Sequence, residues 1–271
     1  MTTVPHVSQI FIYPIKSLDG VGIQSAEVLR SGALKGDRQF ALFDQAGQFV
    51  NGKRHAKIHA LRAEFDLAAN TVSFRNSDTE SNGNISSSAF PLEPEQADLE
   101  AWLSEYFGFP VYLRQNLEMG FPDDTQSPGP TIVSLATLEA IATWYPALTP
   151  ALTVEEVRAR FRTNLEIADV PAFWEDWLFA QADQAVAFRI GSVRLLGVNP
   201  CQRCVVPTRN SKTGIADPGF QKIFVAKRQE TLPAWAERSR FNHFYRLTVN
   251  TRLAEPAAGG TLSIGDPVLL E

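Results

Sequence analysis

The only two cysteines of the chain lie three positions apart in Asn199-Pro200-Cys201-Gln202-Arg203-Cys204, a stretch that runs on through Val205-Val206-Pro207-Thr208 to Gly214. A thiolate is a nucleophile and a soft metal ligand, so several chemistries are open to the pair. Structural zinc takes four ligands and one Cys-x-x-Cys supplies two. No second cysteine pair exists, and His6, His55, His59 and His243 show no matching ligand spacing. A thioredoxin-type redox pair should open a helix at a strand end, which Val205-Val206-Pro207 opposes. Two inert thiols packed as small hydrophobes are the simplest account of the pair taken alone. The remaining chemistry is one thiolate presented to a metal or substrate.

The flanking elements favour presentation. Residues 185–190 and 193–198 read as strands joined by the two-residue turn Gly191-Ser192. Asn199-Pro200 forces an extended exit, and Val205 and Val206 favour strand again. Cys204 is thus expected at a sheet rim, beside the basic Arg203 and several small polar residues.

Upstream, strands are expected at 7–13, 22–29, 38–43, 48–50, 58–67 and 71–75, with a hairpin turn at Asp44-Gln45-Ala46-Gly47 and another at Asn70. Short strands at regular spacing suggest a barrel or sandwich. Residues 76–88, rich in Ser and Asn, read as an exposed loop. Residues 95–107 form an amphipathic pattern, with Leu99, Trp102, Leu103, Tyr106 and Phe107 on one face and Gly108 as the stop. This aromatic stripe is assigned to core packing rather than to a cofactor face. A strand at 111–114 and a Gly/Pro/Asp linking loop at 116–130 follow.

Ser134 is expected to cap a helix reaching Tyr145, and Thr153-x-x-Glu156 is a capping box for the next helix. Strands are then expected at 164–168, 244–250, 261–264 and 268–270, with a short aromatic helical segment at Trp174 and Trp177. Residues 219–228 and 233–238 read as irregular or helical.

Composition narrows the function. The hydrophobic content is 44% and the charged content 20%, ordinary values for a globular protein. A net charge of −5 opposes nucleic-acid or anionic-membrane binding, which rests on a basic surface. Any anion site must be built locally from a few basic residues. No apolar run approaches a membrane span, and no signal or transit peptide is visible. The expectation is a soluble, cytoplasmic protein.

Several further motifs accompany the cysteines: Pro14-Ile15-Lys16-Ser17 after the first strand, Gly36-Asp37-Arg38-Gln39-Phe40, Thr131-Ile132-Val133-Ser134, Phe161-Arg162-Thr163-Asn164 and Ser263-Ile264-Gly265-Asp266-Pro267-Val268. With Asn-Pro-Cys-x-Arg-Cys, this ordered set resembles the MOSC family. More narrowly it resembles the two-part type related to the mitochondrial amidoxime-reducing component and its bacterial counterparts. The resemblance runs from Ile10 to Leu270.

The resemblance implies a mixed α/β, predominantly β fold. Residues 1–120 would be an N-terminal MOSC-type β-barrel domain. Residues 121–271 would be a MOSC β-barrel domain with packed helices, carrying the cysteine motif. It implies a molybdenum–molybdopterin cofactor, with Cys204 as metal ligand and catalytic residue and Cys201 structural. Lys16, Ser17, Arg38, Ser134, Arg162 and Asn164 would surround the cofactor, with Gln202 and Arg203 beside the sulfur.

The implied reaction is reduction of N-hydroxylated small molecules to the amine or amidine plus water. Asp124, Arg203 and His243 are candidate proton donors. Two cysteines fall short of the four thiolates that a ferredoxin-type iron–sulfur cluster needs, and no Gly-rich turn suggests a nicotinamide or flavin site. Electrons are therefore expected from a separate ferredoxin, haem protein or flavin reductase. The membrane-anchored members carry an N-terminal extension not found here. The alternative is a sulfur carrier holding a persulfide on Cys204.

Overall fold

The computed structural model describes residues 4–76, 88–148, 150–255 and 259–271. The loop expected at 76–88 falls mainly on 77–87, outside the described residues. In the first half the elements are β1 (His6–Ile12), β2 (Val21–Ile23), β3 (Ser25–Val28), β4 (Phe40–Asp44), β5 (Leu61–Asp66), β6 (Thr71–Asn76), β7 (Phe90–Pro91), α1 (Ala97–Phe107) and β8 (Val111–Gln115). The second half supplies β9 (Ile132–Ser134), α2 (Leu135–Ala142), α3 (Val154–Phe161), β10 (Leu165–Ala168), β11 (Val186–Ile190) and β12 (Val193–Gln202). It ends with α4 (Phe220–Glu230), β13 (Arg246–Leu253), β14 (Gly260–Ser263) and β15 (Val268–Leu270). The fold is mixed α/β with strands predominant, as expected.

One eight-stranded sheet, in the order β15-β11-β12-β13-β9-β10-β1-β2, organises the molecule. Its one parallel pair is β9 with β10, and parallel neighbours need a crossover; α2 and α3 supply it. The sheet recruits strands from both halves of the chain. β1 lies against β10, and β3 pairs with β14. Val7, Ile10, Ile12, Ala26, Val28 and Leu34 accordingly share a core with Leu165, Phe188, Leu195, Val249 and Leu262.

A second core runs from Ile15 to Leu113, around β4–β8, β5–β6–β7 and α1. The aromatic stripe of α1 packs there: the Trp102 ring stacks on Phe74 at 5.1 Å and on Tyr106 at 5.9 Å. Phe74 is fully buried, and burying such a ring stabilises by about 1.5–3 kcal/mol. A third core joins α2, α3 and α4. Among the described residues no helix is long and apolar enough to cross a membrane.

Several local expectations need correction. Residues 48–50 form no strand and make only the single bridge Phe49 to Phe43. The 22–29 strand is two strands, β2 in the large sheet and β3 on β14. Residues 56–59 form a 3-10 turn, so that strand begins at Leu61. Helix α2 stops at Ala142 rather than Tyr145. Most relevant to the cysteines, β12 does not end at Val198 but continues to Gln202, whereas Val206–Thr208 is a 3-10 turn rather than a strand. Pro200 survives in β12 because the strand has lost β11 beyond Gly197, and because register breaks against β13 lie on either side of it. Pro207 sits in the first turn of the 3-10 segment, where a missing N–H costs nothing.

Candidate functional site

Three loops converge on one cleft, and each turns through a residue that is not glycine but has a positive φ: Ser17 at 75°, Arg38 at 48° and Arg162 at 53°. Left-handed backbone costs such residues about 1–2 kcal/mol, so the surrounding contacts must hold it. Leu18 N–H donates to Ile15 O at 3.1 Å and closes the Lys16-Ser17 corner, while Lys16 N–H donates to Phe40 O at 2.8 Å. Arg38 N–H donates to Tyr13 O at 2.8 Å. Arg162 caps α3, its N–H donating to Arg158 O at 2.8 Å. Each residue therefore turns its side chain out of a fixed corner.

The loop expected as a link, 116–130, wraps around this assembly. Phe121 N–H donates to Arg38 O at 2.8 Å. Gly120, with φ +65°, passes so close that a Cβ there would stand 2.6 Å from Asp37 O. The loop thereby brings Asp123 and Asp124 to the cleft wall. The cleft is open at its mouth and is lined by residues of all three corners and of this loop.

The cleft is positive in a chain that is not. Lys16, Arg38, Lys53, Arg160, Arg162 and Arg203 line it against Asp37, Asp123 and Asp124, six cations to three carboxylates. Some are already paired. Arg38 binds Asp37 and reaches Arg162 O at 3.2 Å. Arg160 binds Glu156 and Asp217. Lys16 Nζ donates to Phe121 O and Asp123 Oδ1, both at 2.8 Å. Burial lowers the Lys16 pKa, and Asp123 partly restores it. For Asp123, loss of water acts to raise the carboxyl pKa, but Lys16, Lys53 and Arg38 together outweigh this and hold it at about 2.

Arg162 and Arg203 have no carboxylate within 4 Å among the described residues. Arg162 Nη2 donates to Ser17 O at 2.6 Å. Arg203 donates to Phe161 O at 2.6 Å and to Cys201 Sγ at 3.2 Å, and its buried Nε has no hydrogen-bond partner. Burial lowers the Arg162 pKa, yet an arginine remains charged. Beneath them Tyr13 lies 5.2 Å from Arg38 and 6.0 Å from Arg162, ring centroid to guanidinium carbon. Its hydroxyl donates to Thr163 O, and burial pushes its pKa far up, so it stays neutral.

The extended end of β12 delivers the thiols. Both are free and half-buried, and both line the cleft. Cys204 Sγ accepts the Val206 N–H at 3.4 Å, at the mouth of the 3-10 turn. No α-helix starts there, as a thioredoxin-type pair would require. Among the described residues no group of three or more metal-ligating side chains gathers anywhere.

Seven of the nine residues expected at the site line this cleft: Lys16, Ser17, Arg38, Arg162, Asn164, Arg203 and Cys204. Ser134 does not. It is fully buried, and its hydroxyl accepts Thr137 N–H at 3.0 Å as the cap of α2. Gln202 is exposed at the end of β12, outside the lining. Asn164 contributes mainly as a brace, donating to Phe11 O at 3.0 Å and accepting from Thr131 N–H at 3.1 Å. Of the suggested proton donors, Asp124 and Arg203 line the cleft and His243 does not. Sequence reasoning passed over His59 and Tyr13, which look like ordinary core positions, while Asp123 arrives on a loop whose path only tertiary contacts define.

A strand-rich frame, closed by both halves of the chain, carries a cation-rich cleft with a thiol at a sheet end. The chain belongs to the MOSC-domain family: residues 131–269 match the MOSC domain, and residues 4–110 match the MOSC N-terminal beta barrel domain. It is similar to mitochondrial amidoxime-reducing component 1 of Danio rerio, 24% identical over 99% of this chain and 85% of that protein. It is likewise similar to mitochondrial amidoxime reducing component 2 of Homo sapiens, 25% identical over 98% and 83% respectively.

Proposed function

We propose that the cleft holds a molybdenum–molybdopterin cofactor and that the protein is an oxidoreductase reducing N-hydroxylated small molecules. The observation that carries this is one thiol, Cys204, opening into the same cleft as two arginines with no carboxylate partner. The donor set fits the group. A soft sulfur suits the metal, and arginine forks suit an anionic pterin phosphate. The unpartnered Arg203 Nε is a buried donor of the kind a ligand would satisfy. The similarity to amidoxime-reducing components supports the substrate class.

In this reading Cys204 ligates the metal, Arg38, Arg162 and Arg203 bind the anion, and Lys16 stands by, paired with Asp123. When bound, the cofactor supplies two-electron oxygen-atom transfer. The protein's own work is orientation: Asp37 and Tyr13 fix Arg38, and the Ser17 carbonyl fixes Arg162. Electrons come from a separate ferredoxin, haem protein or flavin reductase. The same reading keeps two units, 1–120 and 121–271, and a cytoplasmic location.

Purified protein tests the proposal directly. Equimolar molybdenum with pterin is expected, together with turnover of an amidoxime by reduced viologen and none by NADH alone. Cyanide-labile sulfur without metal would instead establish a persulfide carrier on Cys204.

A further inference from the structure

The cleft contains a histidine that this reading leaves unused. His59 ends the 3-10 turn of residues 56–59 and lines the cleft, yet is only 4% exposed. Its Nε2 is buried without a hydrogen-bond partner of good geometry. The ring is fixed between two glycines. A Cβ on Gly52 would stand 2.7 Å from Nε2, and one on Gly214 would stand 3.2 Å from the histidine Cβ. A side chain at position 52 would displace the imidazole, and one at position 214 would collide with Ala56 O at 2.7 Å.

The charges facing it come from three other elements and have one sign. Arg162 caps α3, Arg209 follows the 3-10 turn of residues 206–208, and Arg62 lies on β5. Lys57 is on its own turn. Arg62 is neutralised by Asp19. Arg162 and Arg209 have no carboxylate within 4 Å among the described residues; Arg209 donates only to Gly214 O, and its Nε is unpartnered. No carboxylate lies within 4 Å of the His59 ring either. Burial first, then Arg162 and Arg209, hold its pKa down to about 4, although the Gly52 backbone favours the protonated ring.

We propose that His59 is a proton acceptor coupled to anion binding: when an anion settles on Arg162, His59 takes a proton from solvent, and the two events strengthen one another. The proposal rests on reading the cleft as an anion site. An anion cancels the Arg162 field, which is one of the forces keeping the ring neutral, and adds attraction for an imidazolium. By linkage, the anion then binds more tightly in the protonated state. Burial, the largest cause, persists, so the ring returns only part of the way to its ordinary value near 6.5. Full recovery would make affinity at pH 5.5 exceed that at pH 7.5 by on the order of tenfold, and that is the upper bound. Asp123 titrates at about 2, below that window.

The test uses sulfate, which stays dianionic throughout, and the full-length chain produced in cells unable to make the pterin. Titration calorimetry at pH 6 in two buffers of different ionisation enthalpy counts protons taken up per sulfate. Wild type should take up a fraction of one proton and bind more tightly at the lower pH, within the bound above. His59→Gln should bind sulfate with no uptake and a flat profile. Undiminished uptake in the variant, no uptake in wild type, or no sulfate binding at all would overturn the proposal. Should the variant fail to fold, the His59 Cε1–H resonance of wild type must titrate at higher pH with sulfate than without, and an unmoved midpoint equally refutes it. Molybdenum and pterin content decides the cofactor reading separately, because the sulfate experiment needs neither.

Discussion

The cleft and a buried cluster at the start of α2 both gather arginines and carboxylates, but they balance them differently. In the cluster, Glu175, Asp176 and Arg228 are at most 3% exposed. Arg228 binds Asp176 and lies between the rings of Phe173 and Phe241. Glu175 Oε2 accepts from Ser134 N–H and the Thr137 hydroxyl at 3.1 and 3.0 Å. Two carboxyls share one guanidinium, and a retained proton makes up the difference: burial and then Asp176 raise the Glu175 pKa to about 7. The cleft has the opposite imbalance, with cations in excess and solvent at its mouth. Charge that is sealed and matched locks helices together, whereas charge left over at an opening is available to a ligand.

That contrast can be broken at either end. The largest effect belongs to the thiol. Cys204→Ser should abolish turnover and molybdenum content with the fold intact by circular dichroism, while Cys201→Ser should lose less of both; equal retention in the two variants contradicts the ligand assignment. Next, Arg228→Met leaves two carboxyls buried without a cation, a loss of about 3–5 kcal/mol. Thermal and urea unfolding should show it, with cofactor content per folded molecule unchanged.

The third prediction concerns pH. Between about 4.5, the ordinary value, and 7, the folded protein holds a proton on Glu175 that the unfolded chain has released. Stability should therefore fall as pH rises through that interval, by about 2–3 kcal/mol. Glu175→Gln should flatten the slope in urea midpoints measured from pH 4.5 to 7.5, and a slope unchanged by the substitution would acquit Glu175. The smallest effect is in the cleft. Arg38→Ala removes charge-assisted hydrogen bonds worth about 1.5–3 kcal/mol each. It should yield folded protein that is mostly cofactor-free, and wild-type occupancy would exclude the contact.

Much of the cleft was legible because its residues sit in short motifs at strand ends, where a side chain has few places to go. Lys16-Ser17, Arg38 and Arg162 were readable as types and positions. Their left-handed backbone was not, since nothing but tertiary contact forces a non-glycine residue there. Ser134 shows the opposite limit: the cap it makes is local and was readable, but the burial that keeps it from the cleft comes from Glu175 and Pro171, far along the chain. Pro200 misled the strand boundary because proline is tolerated only where a neighbour strand has ended, and pairing partners are not written locally. The aromatic stripe of α1 was read correctly as packing because helical periodicity is a property of the segment itself.

The pairing of β3 with β14, and of Val7 N–H with Asp266 O at 3.0 Å, also bears on biosynthesis. The strand that leads into the Lys16 corner belongs to a sheet region completed only by residues 260–270, far along the chain. Such long-range closure is slow relative to local pairing. Cofactor loading is therefore predicted to wait until residues 260–270 have been made and have paired. Nascent chains stalled before residue 260 should remain open to protease and take up no pterin, and a protected, loaded stalled chain would show that the cleft closes earlier.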